Sequence, residues 1–314
     1  MTEAPLPPDW WGLGIDVGGT KTAAAVVGPT GILHHSVSLP TPAQAGPDAV
    51  LDTMAEAARS VLHKAGRTLP AAVGVSTGGV IDSATGMVVS ATDLLRGWAG
   101  TAVGAGLSKR LDGVAVAADN DGNALGLGES RFGAARGLDD VLFAAVGTGV
   151  AGALILSGRL VRGAHHTAGE LGHLPAVGAD DRRCSCGRLG HLEAAAAGPS
   201  MTARFRSLRG DPTATDLPAV TALAVSGDSL AENVLREGAT VLGRTLGGLV
   251  NLLDPDAVVV GGGVMACGDL YRDALETAFR SELLPGVDSV PLLPASAGPL
   301  AAVAGAALLP LEVP

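Results

Sequence analysis

Gly12-Leu-Gly-Ile-Asp16-Val-Gly-Gly-Thr-Lys21-Thr-Ala-Ala-Ala-Val-Val27 reads as an apolar strand, a glycine turn and a second apolar strand. Gly28-Pro-Thr-Gly31 then turns the chain. The same layout returns at Val141-Leu-Phe-Ala-Ala-Val146, Gly147-Thr-Gly149, Ala153-Leu-Ile-Leu156 and the turn Ser157-Gly158. We read an internal duplication, two related α/β halves. The intervening chain fits that reading. Asp48 is an expected N-cap, followed by apolar residues at helical spacing up to Gly66. Short strands are expected at Ala71–Val75 and Val114–Ala117, the second running into Asp119-Asn-Asp121 and a helix through Glu129. A long apolar-striped helix spans Leu230–Leu253 and stops at Asp254-Pro255. Val258–Val260 is a strand entering Gly261-Gly-Gly263, a helix starts at Asp269, and the Ala-rich tail Leu300–Leu309 is helical. Strands alternating with helices give an α/β fold with mixed sheets.

The bulk numbers bound the function. With 314 residues, two domains are expected. A net charge of −10 disfavours nucleic acid, whose phosphates need basic stripes, but not a small anion held by local donors. The mean hydropathy is positive, yet no run reaches about 18 apolar residues, so no membrane span is expected. Met1–Asp9 is Pro-rich and lacks a basic-then-apolar leader pattern, which points to the cytoplasm. Of three cysteines, Cys184 and Cys186 are two apart, a pattern for metal or reduced thiols rather than a disulfide framework. Glycine, 46 residues, is about twice its usual share.

Five clusters carry possible chemistry. In Asp16-Val-Gly-Gly-Thr-Lys21, Gly18 and Gly19 let backbone N–H groups and the Thr20 hydroxyl approach a phosphate, and Asp16 is placed to orient a hydrated Mg²⁺; a plain hairpin turn would use the same residues. Gly147-Thr-Gly-Val-Ala-Gly152 matches a dinucleotide fingerprint, but that fingerprint must open a helix, and a strand and a Ser-Gly turn come next here. A second phosphate-contacting hairpin fits better. Gly261-Gly-Gly263 after a strand suits a nucleotide lying on backbone, or a βα turn. Asp119-Asn120-Asp121 offers a carboxylate able to take a proton from an attacking hydroxyl, although one of the three would serve merely as a helix cap. His173, Cys184, Cys186 and His191 form a Cys₂His₂ donor set for structural Zn²⁺, with no position left for water; the alternative is a thiol pair beside unrelated histidines. His165 and His166 read as surface residues.

Together these motifs resemble the ROK family of repressors and sugar kinases, over Gly12 to about Leu309. Asp16–Lys21 and Gly147–Gly149 resemble its two phosphate motifs, Asn120-Asp121-Gly-Asn123 its catalytic segment, Gly169-Glu-Leu-Gly-His173 and Cys184–Glu193 its sugar and zinc signature, and Val260–Gly263 its adenosine-side motif. The resemblance implies a two-domain actin/hexokinase-like α/β fold (a duplicated ribonuclease H-like unit) with an interdomain cleft. The sequence-based domains are 1–118, completed by a C-terminal helix 298–314, and 119–297 with the zinc loop. The resemblance makes Asp121 the general base. It assigns Gly79, Asp93, Asn120, Glu170, His173 and Glu193 to the sugar, with the other nitrogen of His173 on zinc. Asp16, Gly18, Gly19, Thr20, Lys21, Thr148, Gly149, Gly262 and Gly263 fall to ATP and its Mg²⁺.

Three departures stand out. His191 replaces a third family cysteine, Asp93 stands where glucokinases of the family carry Asn, and Ser76-Thr-Gly-Gly79 differs from their Ala-Pro-Gly. The expected activity is an ATP-dependent hexose kinase, a glucokinase forming glucose 6-phosphate. The alternative is a kinase for an amino sugar or sugar-like cyclitol such as N-acetylmannosamine, kanosamine or a C7-cyclitol; the third reading is a non-catalytic sugar sensor. About eleven residues precede the first strand, too few for a helix-turn-helix domain, so no DNA binding is expected. A homodimer or higher homo-oligomer is what the resemblance implies.

Overall fold

β1 (Gly12–Val17) is buried at every position but Asp16, as a continuous apolar run requires. β2 (Lys21–Val27) pairs with it antiparallel from Gly12↔Val27 to Val17↔Thr22. The glycine turn joining them bonds Gly18 N–H to Lys21 O at 3.0 Å. β3 (Leu33–Pro40) extends the hairpin. After α1 (Pro47–Ala65), β4 (Ala72–Thr77) joins the other side of β1, parallel. A small hairpin of β5 (Val80–Asp82) and β6 (Met87–Ser90), then α2 (Val103–Arg110), lead to β7 (Ala115–Asn120), parallel to β4. The order is β3-β2-β1-β4-β7. α3 (Asp121–Phe132) comes directly after β7.

The structure is a computed structural model that describes residues 5–209, 214–298 and 300–312. It divides into Met1–Asp139 with Ala153–Ala168 and Ser296–Pro314, and Asp140–Gly152 with Gly169–Ala295. The second sheet is built from β8 (Val141–Val146), β9 (Val150–Leu156) and β10 (Arg159–Leu160), then, after four helices, β11 (Ala257–Gly261) and β12 (Leu292–Pro294). Those helices are α4 (Glu193–Ala196), α5 (Gly198–Arg209), α6 (Leu217–Val225) and α7 (Ser229–Leu253); α8 (Asp269–Glu282) lies between β11 and β12. The order β10-β9-β8-β11-β12, with β11 parallel to β8 and β12, repeats the first sheet strand for strand. The duplication is therefore real, and Gly147-Thr-Gly149 opens a strand, not a helix. Among the described residues no helix is long and apolar enough to cross a membrane.

The last helix, α9 (Ala301–Ala306), belongs to the first unit. Alternate residues of β2 separate its two cores. Ala24 and Val26 join α1, while Ala23, Ala25 and Val27 join Val303, Ala304 and Ala307. α9 lies against bare backbone. A Cβ on Gly74 would stand 1.6 Å from Ala306 O, one on Gly14 2.0 Å from Val303 O, and one on Gly305 1.7 Å from Ala124 O. The buried Glu129 carboxylate accepts the N–H groups of Ala134, Ser296 and Ala297, holding the entry to α9 on α3.

That packing explains why the division differs from the sequence-based boundary after residue 118. α3 is bound to α9 and stays with the first unit. The extreme ends of those expected domains, 1–4 and 313–314, and residues 210–213 and 299 within them, lie outside the described residues. Asp48 is not the cap of α1. Gly46, at φ 94°, precedes Pro47 at the helix start, and Asp48 sits in the first turn. β3, β5, β6, α2, α5, α6 and β12 were not expected from sequence. β3 is mostly exposed, with two histidines and two serines, and its apolar alternation is short, limited to Val37 and Leu39 at its end.

Two glycines in helices test this packing. Gly305→Ala should destabilise the protein by about 1–3 kcal/mol, because the new methyl meets a carbonyl oxygen that cannot move away. Gly248→Ala, facing open space in α7, should stabilise by about 0.5–1 kcal/mol. Urea melts of the two variants check both signs.

Candidate active site

In the first unit the three parallel strands end in register. Asp16 on β1 pairs with Ser76 on β4, and Ser76 with Asp119 on β7; Thr77 pairs with Asn120 in the next row. Ligand sites of α/β sheets form at such strand ends. The Asp119-Asn120-Asp121 cluster splits into three jobs there. Asp119, 2% exposed, accepts from Arg162 Nε at 2.6 Å, from Asn123 Nδ2 at 2.8 Å and from Asn120 N–H at 2.8 Å. Asn120 is the N-cap of α3: its Oδ1 accepts the Gly122 N–H, while its Nδ2 donates to Gly79 O, both at 2.8 Å. Asp121 opens the helix with neither duty beyond accepting the Gly122 N–H through Oδ1. Desolvation raises its carboxyl above the ordinary carboxylate value, only partly offset by backbone N–H donors.

Asp16 is also raised, first by burial; the Ser76 hydroxyl, donating to Oδ1 at 2.6 Å, pulls it back, the negative Asp121 pushes it up, and Lys21 lowers it. Asp16 and Asp121 are therefore neighbours of like charge. Thr20 and Lys21 are exposed beside the turn. Leu94 covers Gly19, whose Cβ would lie 2.6 Å from the leucine side chain. The loop carrying Leu94 also carries exposed Asp93. It is anchored by buried Trp98, whose Nε1 donates to Thr77 Oγ1 at 3.0 Å, and by Gly79, at φ 105° and with room for no Cβ beside Ser90 O. His166 is not simply a surface residue: its Nε2 lies 3.6 Å from Asp82 Oδ1, and its backbone is left-handed.

In the second unit, Gly147-Thr148-Gly149 makes the matching turn, closed by Gly147 N–H to Gly149 O at 2.9 Å, with Thr148 exposed. The Gly261-Gly-Gly263 turn crosses it. Gly262, at φ 95°, has Val146 O where a Cβ would stand, and a Cβ on Gly147 would be 3.9 Å from Gly263 N. Glu193 backs the Gly147–Gly149 turn, its Oε2 accepting the Val150 N–H at 3.1 Å and leaving no space for a side chain on Gly149. Its Oε1 accepts from Ser185 Oγ at 2.5 Å.

Ser185 stands between two potential metal ligands. The loop is folded by bridges Pro175↔His191 and Arg183↔Leu189, which bring the ligand atoms of His173, Cys184, Cys186 and His191 within 4.8 Å of one another. Cys184 Sγ lies 3.5 Å from His173 Nδ1, and Cys186 Sγ 3.3 Å from His191 Nδ1. Ligand atoms of a tetrahedral zinc lie about 3.3–3.8 Å apart, given bonds of about 2.0–2.3 Å. The donor set and spacing fit that ion. The other nitrogen of His173, Nε2, is 3.9 Å from Glu170 Oε2.

Asp16 to Lys21, Gly79, Asn120 and Asp121 lie in the first unit, with Asp93 on the adjoining loop, and Thr148, Gly149, Glu170, His173, Cys184, Cys186, His191, Glu193, Gly262 and Gly263 lie in the second; Asn120 and Asp121, which the sequence-based boundary after residue 118 assigns to the second domain, are thus in the first. Arg162, Ser185 and Trp98 escaped the sequence reading as site residues. Nothing local marks them, because each acts on a partner 8 to 43 positions away.

Residues 12–313 match the ROK family. The chain is 30% identical over 296 residues to a glucokinase of Halalkalibacterium halodurans, covering 89% of this chain and 88% of that one. It is 31% identical over 300 residues to an N-acetylmannosamine kinase of Escherichia fergusonii, covering 95% and 97%. Its structure superimposes on a ROK family glucokinase from Streptomyces griseus, solved with glucose and AMPPNP, with a TM-score of 0.80 at 31% identity over 96% of this chain and 99% of that one. Strand-for-strand duplication, a glycine turn in each sheet and the Cys₂His₂ loop are thus found in a chain that matches one family over residues 12–313: it belongs to the ROK family.

Proposed function

We propose that the chain is an ATP-dependent hexose kinase that phosphorylates the 6-hydroxyl of glucose. The observation that carries this reading is Asp121, a carboxylate held at the start of α3, relieved of capping by Asn120 and of ion pairing by Asp119, and raised by desolvation toward the range useful for a base. It takes the proton from the sugar hydroxyl as that oxygen bonds to the γ-phosphorus of ATP, and the bond from that phosphorus to the bridging oxygen of ADP breaks. Phosphoryl transfer leaves little else for the protein than positioning and charge stabilisation. Gly18, Gly19, Thr20, Lys21, Thr148 and Gly149 supply the phosphate donors, Gly262 and Gly263 a backbone platform for the nucleotide, and Asn120, Glu170, His173 and Glu193 the hydroxyl partners of the sugar. A hydrated Mg²⁺ beside Asp16, arriving with ATP, supplies neutralisation of the phosphate charge. Zinc on His173, Cys184, Cys186 and His191 holds the loop, and so the ring of His173, in one orientation. The relatives named glucokinase support the sugar; the N-acetylmannosamine kinase relative and the exposed carboxylate of Asp93 favour an amino sugar as the second reading.

An ADP-release assay over glucose, mannose, N-acetylmannosamine, glucosamine and kanosamine decides between them. Glucose should give the highest kcat/KM; a preference for an amine-bearing sugar, lost in Asp93→Asn, would transfer the assignment to the second reading.

Asp121→Asn should lower kcat about 100- to 10,000-fold while sugar affinity holds. Ionised Asp121 costs the folded state stability above its raised pKa, so the Asn variant should melt no lower than wild type at neutral pH. A base is lost on protonation, so kcat/KM should fall as pH drops, on a limb above the ordinary aspartate value of about 3.9. A flat profile down to that value, or a near-normal kcat in the variant, removes the role.

Elemental analysis of chelator-free protein should find about one zinc per chain. Cys184→Ser should lose the metal and, because His173 is then untethered, bind sugar more weakly. Metal-free wild-type protein with unchanged sugar affinity contradicts the site.

A further inference from the structure

The row Asp16–Ser76–Asp119 sets one hydroxyl between two carboxylates. Paired residues of adjacent strands share a face, so all three side chains leave the sheet on the same side at the same level. Asp119 already accepts from Arg162, Asn123 and the Asn120 N–H. Ser76 turns the other way and donates to Asp16 Oδ1 at 2.6 Å, a length typical of an O–H···O⁻ bond. Ser76 is fully buried, so water offers that hydroxyl no competing acceptor, and leaving it unpaired would be costly. Among the described residues Ser76 is the side chain whose hydrogen bond to Asp16 holds that carboxylate.

The neighbouring hydroxyl is committed as well. Thr77 Oγ1 accepts from Trp98 and anchors the loop of Asp93. The Ser-Thr pair that departs from Ala-Pro is thus two buried hydroxyls with partners inside the unit.

We infer that Ser76 is a positioning residue, whose hydroxyl pins one oxygen of Asp16 so that this carboxylate meets a hydrated divalent cation in a single orientation. The inference rests on the kinase reading and deepens it by naming the side chain that sets the cation-facing carboxylate. An alanine here leaves Asp16 free to rotate beside the like charge of Asp121.

The test is calorimetric binding of AMP-PNP to the full chain, with and without Mg²⁺, for wild type, Ser76→Ala and Ser76→Cys. The Ala variant should bind the Mg²⁺ complex about tenfold more weakly, the scale of one charge-assisted hydrogen bond, with Mg²⁺-free nucleotide and sugar affinities unchanged. Its turnover should need correspondingly more Mg²⁺, at an unchanged KM for sugar. Cysteine, of similar volume and a weaker donor, should fall between, which keeps the test open if alanine does not fold. Equal affinity of all three proteins for the Mg²⁺ complex, or a loss of the same size without Mg²⁺, overturns the inference. A wild-type chain that binds Mg²⁺·AMP-PNP yet phosphorylates no sugar fails the kinase reading alone, since the calorimetry needs no turnover.

Discussion

The first unit depends on one constraint: the last helix must touch backbone. Three carbonyls, of Val303, Ala306 and Ala124, occupy the volume that a Cβ on Gly14, Gly74 or Gly305 would fill. Two of those glycines lie in the strands that carry Asp16 and Ser76 near their ends. The third presses α9 onto α3, whose first residue is Asp121. The approach therefore locks the strand ends and the helix that begins at Asp121 together. Glu129 reinforces it, because a buried carboxylate with three backbone donors is satisfied only while residues 134, 296 and 297 stay in place. A site that must hold reacting atoms to within about half an ångström needs such support far from the chemistry.

Charge sets the second constraint. Two aspartates, Asp16 and Asp119, lie in strand ends and a third, Asp121, opens the helix that follows, and three free carboxylates there would repel one another. The structure gives each a different environment. Asp119 is neutralised by Arg162; Asp16 is held by a hydroxyl and faces Lys21; Asp121 is left desolvated with backbone donors alone. Different partners around chemically identical side chains are how one site gives each of them a separate part.

How much of this was legible depended on the range of the signal. The glycine turns and the repeated strand–turn–strand layout are local patterns, legible because turn geometry acts over a few residues, and the close spacing of His173, Cys184, Cys186 and His191 likewise reflects one short loop. The fingerprint Gly147-Thr-Gly-Val-Ala-Gly152 could be set aside for the same reason: the residues after it are locally strand-like. Ser76 was visible, but as a specificity mark. Its bond to Asp16 depends on a parallel register 60 residues apart, which no periodicity encodes. Arg162 is equally hidden from Asp119, a surface-looking arginine shortly before a histidine pair. The glycine excess divides along this line. Gly18, Gly19, Gly147 and Gly149 sit in turns that sequence identifies, whereas Gly14, Gly74, Gly243, Gly247 and Gly305 are packing glycines, revealed only by what their missing side chains would strike.

Glu193 shows how the second unit joins separate duties in one side chain. One of its oxygens takes the N–H of Val150 behind the phosphate turn, and the other takes the hydroxyl of Ser185, the residue between Cys184 and Cys186. If the two thiolates hold zinc, Ser185 has no freedom to move, and neither then has the carboxylate. His173 repeats the device, with Nδ1 at Cys184 and Nε2 toward Glu170. A metal with four protein ligands performs no chemistry of its own. Under the proposed function its effect would reach the substrate through Glu170 and Glu193, which lie against His173 and Ser185 of that loop. Such indirect support explains how a loop held by two isolated bridges, between a single helical turn after Glu170 and the start of α4 at Glu193, can present two carboxylates in a defined geometry.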